Sequence, residues 1–346
     1  MSRWAVVLAG GVGSRFWPLS TPSRPKQLLP LVSQDPLLVD AVERLGPIVS
    51  PEQTLILTNA GLVPAIASVL PDIPHDNLIA EPRAAGTAAA LTWAAQEIAR
   101  RDGPDAIMIS VHADWAVEDA AGFQRALGRG AEIAAREHVL VTVGVVPTRA
   151  DPGFGYIKPG DDIGHGARRV ARFIEKPDRA RAESMRHDGY LWNSGIFVWR
   201  VGDFLDDVRA HTPEIAPALH AHAGDRDAFF ASVTPVSVDV GVLERSNRVA
   251  VLSGDFGWDD VGTWAALRRV RPRDASGNTT HGRVYAVDAT DNVVHAHGAP
   301  VVLYGVSDLV VVAEEGVVLV TTMDRASDLK MLMEALPRGV RERDGE

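Results

Sequence analysis

The 346 residues include no cysteine, so the chain forms no disulfide and offers no thiolate to zinc or an iron–sulfur cluster. That fits a reducing compartment, and a cytoplasmic location is expected. No apolar run approaches the roughly 18 residues that a membrane helix needs, so no membrane partner is expected. Met1-Ser2-Arg3-Trp4 runs straight into a strand pattern, without the layout of a signal peptide. Positive charge is also short: 35 Lys and Arg stand against 45 Asp and Glu, a net charge of −10, whereas a general nucleic-acid binder is usually basic. No nucleic-acid partner is therefore expected. The eleven histidines show no metal-type pairing, since His220 and His222, two apart on a predicted helix, point to different sides. Two common phosphate loops are missing as well. A P-loop ends in Gly-Lys-Ser/Thr, but Gly13 is followed by Ser14-Arg15. A dinucleotide fingerprint needs a third glycine where Phe16 and Trp17 stand.

What is present, with 46% apolar residues, is the material of a large folded core. Short β-branched runs at Trp4–Leu8, Thr54–Thr58, Ala106–Val111 and Val139–Val145 read as buried strands. Longer helical patterns separate them, among them Leu37–Leu45, Ala85–Arg100 and Gly122–Ala135. Such alternation predicts an α/β fold, a Rossmann-like, mixed and mostly parallel sheet with helices on both faces. Ligands of such sheets bind at the carboxyl ends of the strands. The first strand ends in Leu8-Ala9-Gly10-Gly11, followed by Gly13, Ser14, Arg15 and, further on, Pro25-Lys26-Gln27. Glycines let the backbone approach a ligand, successive N–H groups cradle anions, and two cations stand beside them. A nucleoside triphosphate site is expected there. Taken alone, Gly-Gly-x-Gly is also an ordinary strand-to-helix turn.

The full run, Gly-Gly-x-Gly-x-Arg-Phe-Trp-Pro-Leu-Ser followed by Pro-Lys-Gln, resembles the signature of sugar-1-phosphate nucleotidyltransferases, and its Trp-Pro-Leu-Ser and Pro-Lys-Gln variants resemble the mannose-1-phosphate guanylyltransferase branch. The resemblance implies that GTP and mannose 1-phosphate give GDP-mannose and pyrophosphate with Mg²⁺. It implies a nucleotide site of Leu8, Ala9, Gly10, Gly11, Gly13 and Ser14, with Glu81, Pro82, Gly86 and Thr87 against the base. It gives Arg15 and Lys26 to the triphosphate, and it pairs Asp114 with Asp260 as the metal carboxylates. A lone aspartate reads more readily as a helix cap, a role open to Asp259, but two aspartates flanking the glycine loop favour the metal reading for Asp114 and Asp260. The sugar-phosphate half is implied at Gly155, Glu175, Lys176 and Asn193, where Glu175-Lys176 also reads as a surface ion pair. Ser237 reads as a helix cap with Asp239 in the first turn, and Glu244 as a structural residue near the sugar.

The chain departs from the pattern at Ala85-Gly86, where the family often has a cation and then Asn, at Trp115 after Asp114, and at Val240-Gly241. Related readings are a nucleotidyltransferase for another sugar 1-phosphate or nucleotide, and a non-catalytic regulatory relative. The latter is expected to lose Arg15, Lys26 or a metal aspartate, and all four are present. After about residue 275 come brief β pieces, Val284–Val287, Asn292–His295, Val301–Tyr304, Leu309–Val312 and Val317–Val320, then a closing helix over Arg325–Leu336. The expected domains are 1–270, catalytic, and 275–336, small and β-rich, with a polar tail at 337–346. The boundary falls near Arg271-Pro272-Arg273. The resemblance implies a left-handed β-helix-like form for the small domain, whose spacing is too irregular to give one. Its small size and edge strands suggest a homodimer. A fused isomerase domain is not expected.

Overall fold

The computed structural model describes residues 1–11 and 14–341. Its contacts gather into two units. The first comprises Met1–Gly10, Val42–Ala113 and Asp119–Trp258; the second comprises Gly11–Ala41, Asp114–Glu118 and Asp259–Glu346.

In the first unit the strands are β1 (Arg3–Leu8), β2 (Thr54–Asn59), β3 (Leu78–Glu81), β4 (Ile107–His112), β6 (Leu140–Val145), β7 (Tyr156–Gly164), β8 (Ala167–Ile174), β9 (Leu191–Arg200) and β10 (Val249–Gly254). Two-residue strands, β5 (Ala116–Val117) and β11 (Trp258–Asp259), stand apart from their sheet. The sheet runs β3-β2-β1-β4-β9-β6-β10-β8-β7. The β3-β2-β1-β4 half is parallel, as is β6 with β10. β9 lies antiparallel between β4 and β6. β1, β2, β4 and β6 are buried along nearly their whole length, which is why they read as unbroken apolar runs rather than as alternating ones. The helix Gly86–Asp102 buries five alanines along with Leu91 and Ile98, while Asp119 caps the helix Ala120–Glu137 by accepting from Gly122 N at 2.8 Å. In the core, Trp199 stacks on Phe204 with ring centroids 4.4 Å apart and on Phe197 at 5.3 Å.

The second unit holds β12 (Thr279–His281), β13 (Val284–Val287), β14 (Val293–Ala296), β15 (Val301–Tyr304), β16 (Leu309–Glu314) and β17 (Val317–Thr322). β12, β14 and β16 stack in parallel as one face, β13 and β15 stack in parallel as another, and β17 closes antiparallel on β16. Parallel strands stacked coil on coil make a small β-helix. Its corner is an asparagine ladder. Asn292 gives its backbone N–H and side-chain amide to Asn278 Oδ1 at 3.0 and 2.9 Å, and its own Oδ1 accepts from Leu309 N at 3.0 Å. Asn278 Nδ2 reaches Ala289 O at 2.9 Å. The core of this unit joins Phe16, Trp17, Leu29, Leu31, Val261, Trp264 and Leu267 to Val293, Val310, Val312 and Leu319.

Two local expectations are corrected. Arg325–Leu336 is not one helix. It is a turn at Arg325–Ser327 and a helix at Lys330–Ala335, because the Asp328 side chain accepts Lys330 N at 3.0 Å in place of the helical carbonyl. Ser237 does accept from Val240 N, at 3.3 Å, but it leads into a wide π-helical turn, Asp239–Leu243, with Val238 ahead of it.

Candidate functional site

In the second unit, Gly11, Arg15, Lys26, Asp114 and Asp260 come together from three stretches of chain. Gly13 lies outside the described residues, and Ser14 begins the short turn Ser14–Phe16. Lys26 opens a second turn, Lys26–Leu28, and only 6% of its surface is exposed. Its ammonium is divided between the Asp114 carboxylate, at 2.9 Å, and the main-chain carbonyl of Asp260, at 2.7 Å. One buried cation thus ties the Pro-Lys-Gln motif to both aspartate motifs. Gln27, also buried, donates to Gly11 O at 3.0 Å and so holds the glycine loop. Phe16 packs edge-on against Trp264 with centroids 5.2 Å apart, and Trp264 Nε1 donates to Trp17 O at 3.1 Å across a cis Trp17–Pro18 peptide. Arg15, beside this buried anchor, is exposed.

The aspartates of Trp258-Asp259-Asp260 have separate roles. Asp259 is buried and takes Arg269 on both oxygens, at 2.6 and 3.0 Å, and Val261 N at 2.9 Å. It is a structural anchor. Asp260 Oδ2 lies 2.5 Å from where a Cβ on Gly262 would stand, so the carboxylate is drawn in tight against that glycine. Between them and the loop, Val261 is buried at φ 45°, a strained conformation for a β-branched residue and one that clusters at working sites. Asp114 and Asp260 are hard oxygen donors of the kind magnesium takes in ones and twos, completed by substrate phosphates. No larger group of metal-ligating side chains forms among the described residues. The donor set fits the ion.

In the first unit, Leu8 and Ala9 are fixed by the sheet: Ala113 N donates to Leu8 O at 3.0 Å, Ala9 N to Leu57 O at 2.8 Å, and Thr58 Oγ1 to Ala9 O at 3.1 Å. A Cβ on Gly10 would sit 3.5 Å from Glu81 Oε1, so the Glu81 carboxyl faces the glycine. Burial pushes that carboxyl up to about 7. Pro82 is exposed beyond it. Gly86, at φ 82°, opens its helix where a Cβ would strike Val236 O at 2.3 Å. The Thr87 hydroxyl is engaged, accepting from Val238 N at 2.9 Å.

The same unit assembles Gly155, Glu175, Lys176 and Asn193. A Cβ on Gly155 would meet Glu175 Oε2 at 2.6 Å, and Asn193 N donates to Gly155 O at 2.8 Å. Phe154 packs on Trp192 and Trp258 with centroids 4.9 and 5.4 Å away, which fixes the loop. Lys176, at φ 45°, pairs with Glu175 at 3.0 Å and is two-thirds exposed. Asn193 is largely consumed by protein, donating to Asp239 Oδ1 at 2.7 Å and accepting from Thr142 Oγ1 and Gly195 N, each at 3.3 Å. Asp239, expected from the sequence only in a helix turn, is thereby a floor residue of this group. Burial, then the nearby Glu175 charge, pushes its carboxyl up to about 6. Burial, then Glu175, also raises Glu244. Gln27 and Asp239 were both visible in their motifs, but only the folded contacts give them work.

A nucleotidyl transferase family profile matches residues 4–277. The chain belongs to the nucleotidyl transferase family. A second profile, described as a MannoseP isomerase/GMP-like beta-helix domain, matches residues 282–336 of this nucleotidyltransferase. The enzyme is 36% identical to the xanthan biosynthesis protein XanB of Xanthomonas campestris over 94% of this chain and 71% of that protein. It is 33% identical to the mannose-1-phosphate guanylyltransferase RfbM of Salmonella typhimurium over 99% of this chain and 74% of that one. A crystal structure described as mannose-1-phosphate geranyltransferase from Thermus thermophilus superposes with a TM-score of 0.87 at 36% identity, covering 99% of this chain and 98% of that one.

Proposed function

We propose that this nucleotidyltransferase transfers GMP from GTP to mannose 1-phosphate, forming GDP-mannose and releasing pyrophosphate. The observation that carries the reading is the Lys26 ammonium, buried and divided between Asp114 and the Asp260 backbone. A cation fixed among acids beside a glycine loop is equipment for a polyphosphate. The names of the relatives supply the sugar and the base.

The phosphate of mannose 1-phosphate attacks the α-phosphorus in line, and the bond to the β-phosphate oxygen breaks. That phosphate is already ionised near neutral pH, so no general base is needed. The difficulty is the meeting of two anions, which positioning and fixed charge relieve. Arg15 and Lys26 take the triphosphate, with Arg15 on the charge developing at the leaving oxygens. Asp114 and Asp260 would hold a magnesium ion, whose chemistry is to neutralise phosphate oxygens. Lys176 receives the sugar phosphate as a compact charge. Glu175 and Asp239 accept sugar hydroxyls, and Asn193 is held in place to offer its remaining amide hydrogen. Glu81 accepts the adjacent N–H donors that guanine presents and adenine lacks, a pairing whose loss leaves a buried carboxylate unmatched.

As units of inheritance we propose 1–270 and 275–336, with 337–346 as a tail. The partner is a second copy. Tyr285 and Val287 on β13 lie opposite Val302 and Tyr304 on β15, and all four are exposed on one small apolar face. Light scattering is expected to give a dimer, and a monomer at micromolar concentration overturns that part. The test of activity is pyrophosphate release with Mg²⁺, crossing four nucleoside triphosphates with mannose 1-phosphate and glucose 1-phosphate. GTP with mannose 1-phosphate is expected to dominate; release with a different pair replaces the substrate, and no release with any pair overturns the reading.

A further inference from the structure

Arg271, just past the helix Leu267–Val270, is a mostly buried cation. Its Nη2 donates to Pro30 O at 3.0 Å and its Nε to Leu31 O, while Nη1 is buried with no partner. No carboxylate pairs with it among the described residues. Burial alone pushes the guanidinium down to about 10. The two carbonyls account for a loop clasp, but they leave the charge and the third nitrogen unanswered, and a desolvated charge without a partner is costly.

Arg271 lines a cavity of about 620 Å³ with Ser33, Arg273, Asp274, Thr280 and His281, large enough for a small organic phosphate. The one acid there is already spent. Asp274 accepts from Ser276 N at 2.9 Å and from Asn278 N and Nδ2 at 2.8 and 3.1 Å. Arg273 is exposed and turns its Nε to Arg268 O at 2.8 Å. His281 stacks on His295 at 4.4 Å. Behind them Glu314 is 3.2 Å from His297 Nδ1 and 3.8 Å from His295 Nε2. Burial and then Arg271 hold His281 below its ordinary value. The cavity therefore presents an unanswered positive charge, hydroxyls and an imidazole.

We propose that this cavity is an anion site for a phosphate-bearing small molecule, drawn by the uncompensated charge of Arg271 in its wall and flanked by Arg273 and His281. It is separate from the residues assigned to GTP and mannose 1-phosphate. Pro30 and Leu31, held by Arg271, follow Lys26 by four and five residues, so the occupied site adjoins the loop that carries the catalytic cation.

The test follows the His281 ring by NMR in the full-length protein, with its resonance assigned by loss in His281→Gln. Sulfate, whose charge is constant across the titration, is added at fixed ionic strength. An anion on Arg271 offsets that charge, so the His281 midpoint is expected to rise saturably, and Arg273→Ala, an exposed change, to weaken the response severalfold. Inorganic phosphate, pyrophosphate and GDP-mannose are then compared. Tightest action by one of the first two assigns the site to a free anion, and by the last to a nucleotide sugar. An unmoved His281 overturns the proposal. So does a response unchanged in Arg273→Ala, or one given by sulfate and by none of the phosphates. The readout needs no turnover, so this result and the activity assay fail independently.

Discussion

Lys26 and Arg15 are both cations of the glycine-loop region, yet one is buried among acids and the other is exposed. Arg15→Ala removes no packing, so its unfolding midpoint is expected to stay put while kcat falls on the order of 10²–10³. Steady-state kinetics beside thermal melts check this, and near-normal kcat would remove Arg15 from the mechanism. Glu81 gives a pH signature. Its folded value, about 7, exceeds the ordinary 4.5, so between those pH values the folded protein holds more proton than the unfolded chain does. Stability without ligand therefore falls as pH rises through that window. Glu81→Gln removes the fall: the variant is expected to match its parent near pH 4.5 and exceed it by on the order of 2 kcal/mol above pH 7. Urea denaturation at pH 5 and pH 8 measures the difference. The same variant is expected to lose its preference for GTP over ATP. Lys26, Asp114 and Asp260 could be singled out in the sequence only through the resemblance of their motifs to a known family, and their convergence on one ammonium is visible only in the fold. Asp239 was not, because a wide π turn leaves no hydrophobic period and Ser237 ahead of it imitates a cap.

At the scale of elements, glycine sets the sugar-side group. Gly155→Ala puts a methyl against Glu175 Oε2, and Glu175 must move. KM for the sugar phosphate is expected to rise tenfold or more, on the order of 1–3 kcal/mol of binding, with KM for the nucleotide little changed. In the β-helix, Asn292→Ala removes a buried side chain that makes three hydrogen bonds between coils. A loss of about 2–4 kcal/mol is expected by chemical denaturation. The central strands were legible as β-branched runs. The antiparallel β9 was not, because strand direction is decided by distant partners and not by local pattern. The β-helix also hid, since its repeat is carried at the corner by two asparagines fourteen residues apart and by backbone carbonyls.

The chain as a whole was only partly legible, for a related reason. Alternating strands and helices give a fold class, and a change of texture near residue 275 gives a boundary in sequence. Neither says that residues 11–41 and 114–118 gather with the C-terminal stretch, because such contacts join residues far apart in the chain, as Lys26 and Asp260 are. The joint apolar core of that unit bears on ancestry. Phe16, Trp17 and Trp264, from motifs of the transferase profile, share their burial with Val293, Val310, Val312 and Leu319 of the β-helix profile. Two segments matched by separate profiles share one core, so a change of volume in one is expected to require a matching change in the other. A chain cut after residue 270 is expected to aggregate and to show no turnover, and grafting a relative's β-helix onto this transferase is expected to fail unless those seven side chains travel as a set. Soluble yield and pyrophosphate release from such hybrids would measure how far two lineages can drift before their halves stop being interchangeable.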